Sequence, residues 1–230
     1  MRFPFLLAIV GLLTVCASAQ REGSISGTVY DNEGIPVADA HVSAELMQGG
    51  EKILTVLTTN TNELGGFLFS HLNLGEYRVA AEKQEAGYLS TAPDILTCKP
   101  PLTIVLSEQS PIADTSVRFM PKGATITGWV KNSNTGKTIP AHLSLSSITE
   151  CGWSTTGTSG QFKFRLLVPA NTPIKFGACA EGYKSWFHAD SSNPSQPLAL
   201  ELRPGALFEI EIRLEHSLEQ GEPICSAGRY

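Results

Sequence analysis

Histidine and acidic side chains are the residues of this 230-residue chain that could bind a metal. His216 and Glu219 have the His-x-x-Glu spacing of a zinc-dependent hydrolase, which needs a distant histidine as a further ligand. No histidine follows Glu219, and the other four are scattered at positions 41, 71, 142 and 188. We therefore predict no metal site.

Nucleophiles and paired carboxylates are no better placed. Residues 157–160 read Gly-Thr-Ser-Gly and lack the Gly-x-Ser-x-Gly pattern of a hydrolase elbow. Asp190, Glu201 and Glu209 resemble ordinary surface charges, because no recognisable cleft orients them as a catalytic pair. The Asp-Asn-Glu-Gly run at 31–34 favours a β-turn over a calcium loop. We expect no enzyme, no catalytic residue and no cofactor.

The first 19 residues have the features of a secretory signal peptide. Arg2 is followed by an apolar run and by Ala-Ser-Ala at 17–19, which predicts cleavage after Ala19. Lipid attachment at Cys16 is less favoured, because Val15 precedes it. We expect a secreted protein, extracellular or periplasmic. No later apolar run has the roughly 20 residues of a membrane span.

Cleavage leaves Cys98, Cys151, Cys179 and Cys225. An even number of cysteines in an exported protein favours disulfides, and four allow three pairings. The preferred pair is Cys151–Cys179, which closes a loop of about 30 residues and contributes roughly 3–4 kcal/mol. Cys98–Cys225 is the remaining pair, and free buried thiols are the alternative.

Charge and composition narrow the range of partners. The formal charge is −5, and removing Arg2 with the leader makes it −6. We expect no nucleic-acid partner, because phosphate binding needs clustered Lys and Arg. Hydrophobic residues make up 42% of the chain, which argues against disorder over most of its length.

Two segments about 100 residues apart read alike. Ile-Ser-Gly-Thr-Val at 25–29 corresponds to Ile-Thr-Gly-Trp-Val at 126–130, and Gly-Phe-Leu-Phe at 66–69 to Gln-Phe-Lys-Phe at 161–164. Within each segment apolar and polar residues alternate, which predicts half-buried strands. Each Phe pair is expected to fill the space between two sheets, and the glycine of the first strand to make room for a side chain of the facing sheet.

The order Ile-x-Gly-x-Val, Gly-x-Phe-x-Phe, Leu-x-x-Gly-x-Tyr and Gly-Tyr resembles the carboxypeptidase regulatory-like domain, and is similar to Cna-B type repeats. The second copy lacks the Gly-x-Tyr element, with Val-Pro-Ala-Asn-Thr-Pro-Ile at 168–174 in its place. The resemblance implies an all-β protein with two tandem antiparallel seven-stranded transthyretin-like (prealbumin-like) sandwiches. We expect a signal peptide at 1–19, sandwich domains at 20–121 and 122–216, and a flexible tail at 217–230.

All three tryptophans lie in the second half of the chain. Strand alternation places Trp129 opposite the core face, so its indole could stack on a sugar ring or pack against a neighbouring domain. Trp186 and Phe187 follow the second Gly-Tyr, where loops gather, and are further ligand-binding candidates. Trp153 is expected to pack on a disulfide at Cys151.

Three functions remain open from the sequence. The first is a non-enzymatic interaction or structural module at the cell envelope, whose partner would be an envelope protein. The second is a carbohydrate-binding module that uses the exposed tryptophans. The third, with least support, is an accessory domain of a peptidase system. Nothing in the sequence defines the oligomeric state.

Overall fold

The computed structural model describes residues 22–49, 52–91, 102–148, 154–160, 163–190 and 193–217. These residues form strands and one short 3-10 helix, Gln84–Ala86. The first seven strands make up the first unit: β1 Gly23–Tyr30, β2 His41–Gln48, β3 Lys52–Asn60, β4 Gly66–Leu72, β5 Gly75–Glu82, β6 Leu102–Leu106 and β7 Ile112–Arg118.

The other nine strands make up the second unit. They are β8 Ala124–Asn132, β9 Ala141–Ser147, β10 Ser154–Ser159, β11 Phe164–Val168, β12 Ile174–Cys179, β13 Trp186–Phe187, β14 Ala189–Asp190, β15 Asn193–Pro197 and β16 Leu207–Leu214.

The two units have the same sheet topology. In the first unit a three-stranded sheet, β4-β1-β7, packs against a four-stranded sheet, β3-β2-β5-β6. In the second unit the corresponding sheets are β11-β8-β16 and β10-β9-β12-β13, and β14 and β15 form an additional hairpin. The expected all-β class is confirmed, and the two pairs of sheets are consistent with two sandwiches.

One expectation about strand direction needs correction, because neither sandwich is purely antiparallel. β1 pairs in parallel with β7, and β8 pairs in parallel with β16. Neighbouring parallel strands need a long crossover. In each unit this crossover is formed by the strands between the first and the last one. The chain passes through the opposite sheet before it returns to pair with the first strand.

The expected alternation of buried and outward residues is present in both cores. Ile25 and Val29 of β1 are fully buried, as are Ile126 and Val130 of β8. A β-bulge interrupts the pairing of β2 with β3 after Leu46, and Met47 is the buried residue there. Two separate apolar clusters result, one in each unit.

The glycine of the first strand has a different role from the one expected. Gly27 lies opposite Phe67 of the neighbouring strand β4, not beneath a residue of the facing sheet. A Cβ at Gly27 would come within 2.7 Å of the Phe67 ring. Gly65 closes the preceding turn with φ 72°. Gly160, which precedes the Phe pair of the second copy, is not among the glycines with positive φ, so the two turns differ.

Some expectations fall outside the described residues: the signal peptide, Phe162, Trp153 and three cysteines, Cys98, Cys151 and Cys225. Cys179 is disulfide-bonded, and its pairing with Cys151 stays a prediction. Ser217, placed in the flexible tail, donates its N–H to the Gly182 carbonyl at 3.0 Å. Within the described part of the chain, no helix is long and apolar enough to cross a membrane.

The segment between the units is hydrogen-bonded on both sides. The Gly123 N–H donates to the Gly87 carbonyl of the first unit at 2.8 Å. The Gly205 N–H of the second unit donates to the Gly123 carbonyl at 3.1 Å. The Lys122 ammonium lies 5.4 Å from the centroid of the Tyr88 ring. The domain boundary at 121/122 stays a prediction.

Candidate functional site

The outer face of the sheet β11-β8-β16 is built around Trp129, and we call it the Trp129 face. Its residues come from the strands β8 and β16 and from the residue before β11: Trp129, Lys131, Lys163, Glu209, Glu211 and Arg213. Because Ile126 and Val130 of β8 point into the core, Trp129 and Lys131 point outward. Trp129 is half-buried there.

Two lysines lie close to the Trp129 ring. The ammonium of Lys163 is 4.6 Å from the ring centroid and that of Lys131 is 5.9 Å from it. Both distances are within the range of a cation–π attraction. Each lysine also pairs with a glutamate of β16: Lys163 with Glu209 at 2.9 Å, and Lys131 with Glu211. The indole is therefore covered by paired charges.

Glu211 is the carboxylate of this face that is hydrogen-bonded to two cationic side chains. It accepts hydrogen bonds from Lys131 and from Arg213, the latter at 2.8 Å. These two hydrogen bonds hold the pKa of Glu211 below its usual range. Its side chain is about one-third exposed, so solvent screens the ion pairs and keeps their contribution to stability small.

The other predicted aromatic residues do not join Trp129. Trp186 and Phe187 form β13, at the edge of the opposite sheet of the second unit. The Trp186 ring meets Phe176 edge-on, with centroids 5.7 Å apart, and lies 6.5 Å from His188. The side chain is half-buried against the core. The three predicted ligand-binding residues are thus divided between two sheets.

The first unit lacks the Trp129 face. Gly27 of β1 and Gly128 of β8 occupy matching register positions, so Thr28 stands where the second unit has Trp129. On the same outer face Ser26 donates to Asp114 at 3.0 Å. The charged network is therefore an addition to a fold that forms without it.

Strand alternation could place Trp129 on the outer face, but it could not identify the other members of the Trp129 face. Lys163 is 34 positions from Trp129 along the chain, and Glu209 and Glu211 are farther still. Only the pairing of β11 and β16 with β8 brings them together. The one available signal is the alternating Glu-x-Glu-x-Arg at 209–213.

Two grooves lie outside the Trp129 face, and both are lined by polar residues. A groove of about 480 Å³ is lined by Asp39, His41, Asn60, Glu82, Lys83, Gln84 and Glu85. Another, of about 530 Å³, lies beside Tyr88 and the 121–122 segment. Burial raises the pKa of Tyr88, and the charges of Asp31 and Glu33 raise it further. No group of three possible metal ligands occurs among the residues that the structure describes.

Comparison with known proteins finds a family resemblance for the first unit. Residues 24–107 match the carboxypeptidase regulatory-like domain family, so this segment is similar to such domains. The resemblance expected from the sequence is confirmed for the first copy, and the second unit has the same sheet topology. No curated protein matches the chain.

Several solved structures are similar to the chain at low identity. A streptococcal ancillary pilin has 12% identity and a TM-score of 0.38, with 86% of this chain and 63% of that one covered. The shaft pilin SpaA from Lactobacillus rhamnosus GG has 11% identity and a TM-score of 0.35, with 87% and 100% covered. The chain thus spans 63% of the length of the first of these. Similarity at this level indicates nothing about function. The fold is assigned from the strand topology.

Proposed function

We propose that this protein is an exported, non-catalytic β-sandwich module that acts at the cell envelope by binding another envelope protein. The observation that supports this function is the Trp129 face. Tryptophan and arginine are enriched among the residues that contribute most to protein interfaces, and charged groups are common at the polar rim around such a residue. The first unit has the same topology without this surface, so folding does not require it.

Photo-crosslinking in the organism that makes the protein tests the proposal. A photoreactive amino acid replaces Arg165, an exposed residue of β11 whose register partner Thr127 belongs to the same strand as Trp129. We expect an adduct with an envelope protein, and its loss when Trp129→Thr is added. Threonine is the residue of the first unit at the matching position, so this variant should fold.

The matched control places the photoreactive group at Leu68, an exposed residue on the corresponding strand of the first unit. The proposal is wrong if position 165 gives no adduct, or if position 68 gives the same one. It is also wrong if Trp129→Thr leaves the adduct unchanged.

Carbohydrate binding is the second candidate, and the outward indole of Trp129 favours it. A sugar would have to displace the Lys163 ammonium, which lies 4.6 Å from the ring centroid. The two functions therefore predict opposite effects of Lys163→Ala. This change should strengthen glycan binding by uncovering the ring, whereas it should weaken a protein contact that uses the charge. Glycan-array binding and crosslinking yield measured on the same variant distinguish them.

A further inference from the structure

The strand β3, Lys52–Asn60, is an exposed edge of the first unit. It lies at the end of the sheet β3-β2-β5-β6, so no strand of the described residues lies along one side of its backbone. Its apolar side chains are unusually open for strand residues: Ile53, Leu54 and Val56 are each about half exposed, and Leu57 is 37% exposed. A long apolar edge of this kind is a template for pairing with another strand.

The second unit shows that the fold does not need an apolar strand here. β10, Ser154–Ser159, occupies the same place at the end of β10-β9-β12-β13. Its sequence is Ser-Thr-Thr-Gly-Thr-Ser, without one apolar side chain. Leu57 and Thr155 occupy matching positions in the two strands. Leu57 lies opposite Ala44 of β2, and Thr155 lies opposite the corresponding residue of β9, Leu145. The apolar residues of β3 therefore have a use other than building the sheet.

We propose that β3 pairs with β3 of a second copy of this chain, in antiparallel orientation about a two-fold axis near Val56. The two four-stranded sheets then join into one sheet of eight strands. The outward-facing backbone N–H and C=O groups of each edge supply the hydrogen bonds. Because the interface is self-complementary, Val56 and Leu57 of one copy lie against the same apolar segment of the other.

Charge is compatible with this pairing. No charged residue occurs from Ile53 to Asn60. The acidic side chain nearest to Val56 in register is Glu45, one strand farther from the axis. The two Glu45 strands would be three strand spacings apart, about 14 Å. That exceeds the Debye length of roughly 8 Å at physiological ionic strength, so their repulsion is largely screened.

The small size of the interface predicts a weak dimer. Stable protein interfaces bury about 1,200–2,000 Å², and a single pair of edge strands buries less. The dimer should therefore exchange with monomer across a concentration series.

Analytical ultracentrifugation of the full chain over a concentration series tests the proposal. Thr58→Lys puts a charge on the edge, and Val56→Ser with Leu57→Thr gives β3 the residues that β10 has at the matching positions. Each variant should weaken dimerisation at least about tenfold, because edge charges and lost apolar contacts oppose strand pairing. The matched control is Thr156→Lys on β10, which should leave the dimer unchanged. Far-UV circular dichroism checks that every variant folds.

Hydrogen exchange of the β3 amides distinguishes a second copy of the chain from other partners of the β3 edge. Protection that rises with protein concentration supports pairing with a second copy. Protection that is high at every concentration means that a segment of the same chain covers the edge, and overturns the proposal. A monomer with unprotected amides throughout, or a dimer that Thr58→Lys and Thr156→Lys affect equally, also overturns it. Trp129→Thr should leave the dimer intact, so this proposal and the proposed function can fail separately.

Discussion

Gly128 and Gly27 are single residues on which the packing of the three-stranded sheets depends. Gly128 lies in register with Ile210 of β16, and a Cβ there would overlap the Ile210 carbonyl group. Gly27 lies in register with Thr115 of β7, and a Cβ there would overlap the Thr115 carbonyl oxygen and the Phe67 ring. In both units a neighbouring strand occupies the space that a side chain would need, so these positions tolerate only glycine.

Gly128→Ala should therefore lower the free energy of unfolding by about 2–3 kcal/mol, because the added methyl forces β8 and β16 apart. Urea denaturation followed by tryptophan fluorescence measures the loss. Gly160→Ala is the control: it has no atom within 4 Å of the new Cβ, and its effect should stay within about 0.5 kcal/mol. Equal stability of the two variants would contradict the close approach at Gly128.

Glu211 provides a residue-scale prediction about pH. Its lowered pKa means that the charged form is favoured in the folded state, since Lys131 and Arg213 both donate to it. The resulting stabilisation is present above the ordinary pKa of a glutamate and is lost as pH falls through the lowered one. An NMR titration of the side-chain carboxyl should show that Lys131→Met raises the pKa of Glu211. Lys163→Met, which removes the partner of Glu209 instead, should leave that pKa unchanged.

Among the elements, strands were predictable wherever alternation was clear, and less so at the sheet edges. Alternation places Ile25 and Val29 on the core face, where they are fully buried, and Trp129 on the opposite face. β3 has no such signal, because its apolar residues lie on both faces of an edge strand and do not alternate. Local periodicity also does not predict the parallel pairs of β1 with β7 and β8 with β16, because strand direction depends on the path of the whole chain.

The turn after the first strand is held by one side chain in each unit. Asp31 Oδ1 accepts the N–H groups of Glu33 and Ile35 at 2.9 and 2.8 Å. Asn132 Oδ1 accepts those of Asn134 and Thr135, both at 2.8 Å. An amide oxygen thus serves in the second unit where a carboxylate serves in the first.

Asp31→Asn should consequently preserve stability, whereas Asp31→Ala should cost about 1 kcal/mol, the usual effect of removing a side-chain oxygen that caps backbone N–H groups. Thermal unfolding of both variants measures the difference. An equal loss in both would mean that the negative charge of Asp31, and not its hydrogen bonds, supports the turn.

At the scale of the whole molecule, the two units have separate cores joined by a short, hydrogen-bonded segment. Leu72 is 2% exposed within the first cluster, and Leu143 is 1% exposed within the second. Gly123 is bonded to Gly87 and to Gly205, so the connection is fixed by backbone contacts and not by a shared core. We therefore infer that each unit unfolds by itself.

The distribution of tryptophan allows this to be measured, because all three lie in the second half of the chain. Leu143→Ala should lower the midpoint of the fluorescence transition, since removing a buried leucine costs about 2–5 kcal/mol. Leu72→Ala should leave that midpoint in place and move only a transition seen by far-UV circular dichroism. If both variants shift the fluorescence midpoint equally, the chain unfolds as one cooperative unit, and the boundary at 121/122 does not separate two folding domains.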